Sequence, residues 1–169
     1  LDPAAAPLLF ARLEQASVQV RYELASVLGN LGNEEVLGLA AAKLRQADLD
    51  QMTRYIYESV LRPSVPKART LVHELARHEQ PAVRESGVRL LFQDQDDESR
   101  NLLQKALQDP AATVKAYAAY ALSQSQDPAA LDILKQMLKE PDVRMRSLAV
   151  TGIANYSAAT ALPILTKMP

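Results

Sequence analysis

One spacing constrains this chain more than any other. Leucines that close a helix recur at Leu13, Leu44, Leu75, Leu107 and Leu138, at intervals of 31 or 32 residues. A second series, Leu28, Leu61, Leu91, Leu122 and Ile153, runs between them at intervals of 30 to 33. Two interleaved series on one period mean two elements per unit and units that stack. Self-similarity over about 20–50 residues is the signature of a solenoid, in which each repeat buries its apolar face on its neighbours. The 169 residues therefore count repeats rather than the volume of one central core.

The best-preserved unit, Asp109 to Leu138, shows what the two elements are. Asp109-Pro110 supplies a capping acceptor and a preset φ, the chemistry that opens a helix. Val114 to Leu122 follows with apolar residues at helical spacing and small ones where a second helix must come close. After the polar Ser123–Gln126 turn, Asp127-Pro128 opens a second helix whose Leu131, Leu134 and Leu138 share a face. Two antiparallel helices joined by a short turn make an αα-hairpin.

The pattern recurs with decay. Val20-Arg21 through Leu28-Gly29 is a helix of the first type, and Asn33-Glu34-Glu35 opens one of the second. Val83-Arg84 through Leu91-Phe92 precedes Asp96-Asp97-Glu98, and Met145-Arg146 through Ile153 precedes Ala158. In the least regular unit a first-type helix runs from about Asp50 to Leu61, Arg62-Pro63 ends it and Pro66 opens the next. With Pro3–Glu14 at the front and Ala159–Met168 at the back, the count is five first-type and six second-type helices.

Composition agrees. Hydrophobic residues make up 48% of the chain, yet Trp is absent and aromatics are 5%, so alanine and leucine carry the apolar content. Closely packed helices follow from that choice better than strands. The formal charge of -1 argues against bulk attraction to nucleic acid or anionic membrane, while leaving room for a local basic face. The absence of Cys excludes disulfides, thiolate catalysis and cysteine-ligated zinc and leaves the redox compartment open. No stretch reaches the about 18 consecutive apolar residues of a membrane span, and no secretory pattern opens the chain. Leu1-Asp2-Pro3 lacks an initiator Met and is already in repeat register, as expected of a piece of a longer protein.

The cadence Val-Arg, small residues, Leu, polar turn, Asp-Pro-Ala and a leucine-rich second helix resembles HEAT repeats. The match is nearest to the shorter subtype named after phycobilisome lyases. Its clearest copies are Val20-Arg21 to Leu44, Val114-Lys115 to Leu138 and Met145-Arg146 onward. The resemblance covers essentially the whole chain. It implies an all-α α-solenoid, a right-handed superhelix of about five repeats and about eleven helices in one domain over 1–169. The units would be a half repeat at 1–15, then 16–46, 47–78, 79–108, 109–139 and 140–169. It also implies that the basic residue after each Val, here Arg21, Arg54, Arg84, Lys115 and Arg146, pairs with an acid of the preceding turn. Asp50, Asp109 and Asp142 are available for Arg54, Lys115 and Arg146, whereas Arg21 and Arg84 have only Gln19 and Gln80 before them.

Nothing converges on a reaction. His73 and His78 stand five apart, and at about 100° per residue they point roughly 140° away from each other, too far for one metal ion. The five glycines are scattered, so no phosphate loop exists. Asp96-Asp97-Glu98 is explained by capping and the helix dipole. The six tyrosines fall in or at the end of first-type helices and read as packing between repeats, and Asn155-Tyr156-Ser157 matches a glycosylation sequon without further support. No catalytic residue, cofactor or metal is assigned.

The resemblance places second-type helices on the concave side. Aligning them on the closing leucine brings Phe10, Ala41, Arg45, Arg69, Val72, His73 and Lys105 to outward offsets, an apolar strip followed by amides and lysines. The expected activity is that of a non-enzymatic module gripping a protein or peptide, or a neighbouring domain of the same chain, with Phe10 and Val72 as anchors. The alternatives are a chromophore-lyase-like accessory enzyme and a nucleic-acid binder of the HEAT-like glycosylase kind. Nucleic acid is disfavoured because Lys105, Lys135 and Lys139 share their surface with Asp132 and the apolar strip. No membrane contact is expected.

Overall fold

A computed structural model describes residues 5–46, 48–61, 66–92, 94 and 96–167. They form eleven helices and no strand: α1 (Ala6–Leu13), α2 (Val18–Leu31), α3 (Glu34–Leu44), α4 (Gln51–Val60), α5 (Pro66–Ala76), α6 (Pro81–Leu91), α7 (Asp97–Ala106), α8 (Ala112–Ser123), α9 (Pro128–Met137), α10 (Val143–Ala154) and α11 (Ala158–Leu165). Even-numbered helices are the first type and odd-numbered ones the second. The Asp2-Pro3 start, the Arg62-Pro63 break and Met168 lie outside the described residues.

Side-chain capping fixes five of the helix starts. The side chains of Asn33, Asp50, Asp96, Asp127 and Asp142 each accept from a backbone N–H of the first turn, as polar N-cap residues do. Asp109 does not: α8 begins at Ala112, and the Asp109 carboxylate accepts instead from the Ala111 N–H at 2.8 Å, closing the turn before the helix. Gly32 ends α2 in the left-handed conformation, at φ 59°, where a side chain would strain the backbone.

Helix ends are tied differently from the expected acid–base ladder. Arg21, Arg54, Arg84 and Arg146 are each the fourth residue of a first-type helix. Each reaches back to backbone carbonyls at the end of the preceding second-type helix or in the turn that follows it. Arg21 donates to Glu14 O at 2.8 Å and Ala16 O at 2.9 Å, and Arg54 to Leu44 O at 3.1 Å and Gln46 O at 3.2 Å. Arg84 donates to His78 O and Glu79 O at 3.0 and 2.6 Å, and Arg146 to Glu140 O and Pro141 O at 2.7 and 2.8 Å. Carbonyls at such a chain reversal have no helical N–H to accept from, and a cation with several donors satisfies two of them at once. Asp50 and Asp142, the acids expected to pair with Arg54 and Arg146, cap α4 and α10.

Contacts divide the chain into two compact units, Leu1–Asp94 and Gln95–Pro169, where the repeat pattern predicts one domain over 1–169. In the first, the row α1, α3, α5 packs on the row α2, α4, α6. Gly87 sets the closest approach there: a Cβ on it would come within 2.2 Å of the Ala76 backbone nitrogen, so α6 meets α5 main chain to main chain. In the second, α8 and α10 pack on each other, α7 and α9 pack on α8, and α11 rests on α10. α11 has eight residues with Pro163 inside it, which removes one helical N–H. The closing leucines form the core of both units, Leu13, Leu44, Leu75 and Leu107 being no more than 4% exposed. Together these features give an all-α fold of the α-solenoid class.

The buried arginine should matter most. Arg54 is 6% exposed. Arg54→Gln orphans two carbonyls, which predicts a loss of about 1–3 kcal/mol for each. Arg146 bonds an exposed turn, so Arg146→Gln should cost less than about 0.5 kcal/mol. Urea denaturation of the two variants measures the difference. Equal losses would mean that the arginine–carbonyl bond is incidental.

Candidate partner-binding surfaces

Of the outward offsets chosen from the closing leucine, the one three residues before it holds in the second unit and fails in the first. Three residues before that leucine stand Phe10, Ala41 and Val72, then Gln104 and Lys135. The first three are 6%, 0% and 0% exposed, whereas Gln104 and Lys135 face solvent. His73, also placed outward, is 5% exposed. In the first unit α1 and α3 are turned so that Leu8, Ala11 and Arg12, then Leu39 and Ala42, look out. Phe10 instead packs on Tyr57 of α4, with ring centroids 5.8 Å apart. One residue of helix rotation, about 100°, is enough to exchange these faces, and burying the larger apolar side chains decides which way it goes. Phe10, Ala41, Val72 and His73 are therefore core, and the apolar strip is not a surface.

The remaining members of the set are accessible but committed in different ways. Arg45 pairs with Glu74 at 2.8 Å, linking α3 to α5. Arg69 pairs with Asp94 at 2.7 Å, its carboxylate side chain only 5% exposed. Lys105 is exposed on α7.

Other polar groups of the first unit bind one another. A cleft of about 200 Å³ is lined by Leu13, Arg21, Ile56 and Tyr57, with Glu14 and Lys43 at its mouth. Glu14 is ion-paired with Lys43 and accepts from the Tyr57 hydroxyl at 3.1 Å, contacts that hold its pKa below the usual value. Burial, then Glu14, push the Tyr57 hydroxyl up to about 12.

Between α4 and α6 the Glu58 carboxylate accepts from Arg89 at 2.8 Å, and the Arg89 guanidinium lies 3.7 Å from the Tyr55 ring centroid. Burial raises Glu58 to about 7, against Arg89, Ser86 and Arg54, which pull it down; Glu85 adds to the rise. A carboxyl poised near neutrality suits acid–base catalysis, but Glu58 is only 7% exposed and none of the clefts described for either unit reaches it. The histidines part as their spacing requires, His78 Nδ1 accepting from the Gln80 N–H at 3.1 Å. Asn155 of the sequon donates to Ser123 Oγ at 2.8 Å, and Tyr156 is buried with its hydroxyl on Asp127 O.

The second unit carries two open grooves. One groove, about 390 Å³, lies along α8 and α10 between Tyr117, Tyr120, Val143 and Leu148. A larger one, about 950 Å³, opens between α9 and α11. Its apolar lining is Leu138, Pro141, Pro163 and Ile164, and its charges are Lys135, Lys139, Arg146 and Lys167 against Glu140. Leu138 is half-buried, unlike the four closing leucines before it. Lys135 pairs with Asp132 at 3.1 Å, while Lys139 and Lys167 make no ion pair among the described residues. The polarity switch at Gln104 and Lys135 was the sequence signal for this side of the molecule; the contribution of Pro163, Ile164 and Lys167 had none.

The HEAT-repeat family matches residues 68–154, just over half of the chain. No curated protein sequence matches. Among solved structures, the crystal structure of an engineered protein is similar over 96% of this chain and 84% of its own, at 17% identity and a TM-score of 0.47.

As a core residue, Phe10 should lose about 3–5 kcal/mol of stability on truncation to alanine, measured by chemical denaturation. For Glu58 the folded pKa lies above the ordinary carboxyl value of 4.5, so its contribution to stability is full below about 4.5 and is lost as pH rises to about 7. The stability of the wild type relative to Glu58→Gln should therefore fall across that window. A flat difference between pH 4.5 and 7 would show that burial does not raise this carboxyl.

Proposed function

Because the chain belongs to the HEAT-repeat family, whose stacked helices serve as extended binding surfaces, we propose that it is a non-enzymatic module that grips a protein partner through its second-type helices. The observation that carries this reading is the open groove between α9 and α11, an apolar floor with a charged rim at a position where the repeat leaves its closing leucine uncovered. Apolar surface held open on a folded chain is a contact surface more often than not. Lys105 on α7 extends the same type of face within that unit, and Arg45 and Arg69 offer its accessible counterparts in the first unit. The 31-residue period supports assignment of the repeats to the short subtype named after phycobilisome lyases. A lyase-like activity lacks support, because the groups shifted upward, Tyr57, Glu58 and Tyr156, are engaged with Glu14, Arg89 and the Asp127 carbonyl.

The lysines favour one second reading, nucleic acid. Against it, the groove has no aromatic side chain on which bases could stack. No helix among the described residues is long and apolar enough to cross a membrane.

Affinity capture from an extract of the source cells, followed by lysine cross-linking, tests the proposal. A stoichiometric protein partner is expected, with cross-links at Lys105, Lys135, Lys139 and Lys167 rather than at Lys115 on a first-type helix. Capture of no protein, or cross-links confined to the first-type helices, would end the reading.

A further inference from the structure

We propose that the groove between α9 and α11 seats an acidic peptide segment of the partner, with one apolar side chain of that segment packed beside Leu138. This rests on reading the chain as a protein-binding module and names the partner's chemistry.

Charge is the first reason. The rim carries Lys139, Lys167 and Arg146 against Glu140, with Lys135 neutralised by Asp132 beside it, although the whole chain has a formal charge of -1. The positive field is thus local to this groove and selects for an anionic occupant. Arg146 already donates to the Glu140 and Pro141 carbonyls, and Lys135 to Asp132, so Lys139 and Lys167 are the cations that make no such commitment.

Shape and polarity narrow the class. Leu138, Pro141, Pro163 and Ile164 give the floor no hydrogen-bonding side chain, so nothing fixes the orientation of a small anion, which needs placed polar groups. Exposed lysines are flexible point charges, matched to carboxylates spaced along an extended segment. Each such pair is weak alone. The apolar contact must supply the rest, and the uncovered flank of Leu138 is where a leucine-sized side chain fits. An acidic run interrupted by a leucine satisfies both.

Fluorescence anisotropy with a labelled peptide, Asp-Glu-Asp-Leu-Leu-Asp-Glu-Asp-Glu, tests this on the whole chain. Saturable binding is expected at about 0.05 M salt, weakening as salt rises through about 0.3 M. The pair Lys139→Glu with Lys167→Glu should weaken it about tenfold or more. The pair Arg12→Glu with Lys67→Glu makes the same charge change in the first unit and should leave it unchanged. All four positions are exposed, and circular dichroism checks that both variants keep their helices. Replacing both leucines of the peptide by serine should also weaken binding.

Any of these results with the peptide would overturn the proposal: no saturable binding, binding untouched by the Lys139 and Lys167 reversals, equal binding of the serine peptide or a thymidine oligonucleotide, or self-association of the chain that the peptide reverses. The third would make the groove a general polyanion patch and the fourth would place a second copy in it. Capture of a protein partner that ignores the Lys139 and Lys167 reversals would remove this inference and keep the scaffold reading.

Discussion

An arginine at the fourth position of α2, α4, α6 and α10, bonded to backbone carbonyls at or just beyond the end of the helix before it, is the joint that sets the register of these helix pairs. Apolar packing between helices is non-directional and would tolerate sliding or rotation. The bonds from Arg21, Arg54, Arg84 and Arg146 fix where one helix stops and the next begins its return, because they end on named carbonyls. They also explain why an acid in the preceding turn is dispensable. Arg21 and Arg84 follow Gln19 and Gln80, yet make the same bonds as Arg54 and Arg146, which follow Asp50 and Asp142. Lys115 holds the equivalent place in α8 with a single ammonium in place of the guanidinium fork. The acids act at the opposite end of the turn, capping the N-terminus of the helix that carries the arginine.

The helices were legible because two signals agreed: apolar residues at helical spacing and a repeat of near-constant length. All eleven, and both row assignments, follow from them. The facing of the first-unit helices was not, because an offset counted from the closing leucine assumes equal rotation in every repeat. Phe10, Ala41 and Val72 argued against that assumption by their chemistry, since a strip that apolar belongs against a neighbour rather than in water.

The ion pairs between repeats were harder to read. Glu58 and Arg89 carry no motif, but they stand 31 residues apart, one repeat. Arg45 and Glu74 are separated by 29 and Lys67 and Glu34 by 33. In a stacked array, residues one period apart are neighbours, so a search for complementary charges at that separation would have found all three pairs. Nothing comparable marks the α9–α11 groove, because its width depends on how α11 rests on α10.

The short, proline-containing α11 gives that groove a thermodynamic character of its own. An eight-residue helix is below the length at which isolated helices persist in water, and Pro163 removes one of its bonds. Its order is therefore borrowed from α10, and a ligand lying against Pro163 and Ile164 would lend more. Binding and local folding become one equilibrium there: part of the contact energy goes into holding the wall, the measured affinity understates the contact, and the wall's resistance to opening rises with ligand concentration. A surface built this way registers occupancy as a change in the ordering of its own last helix.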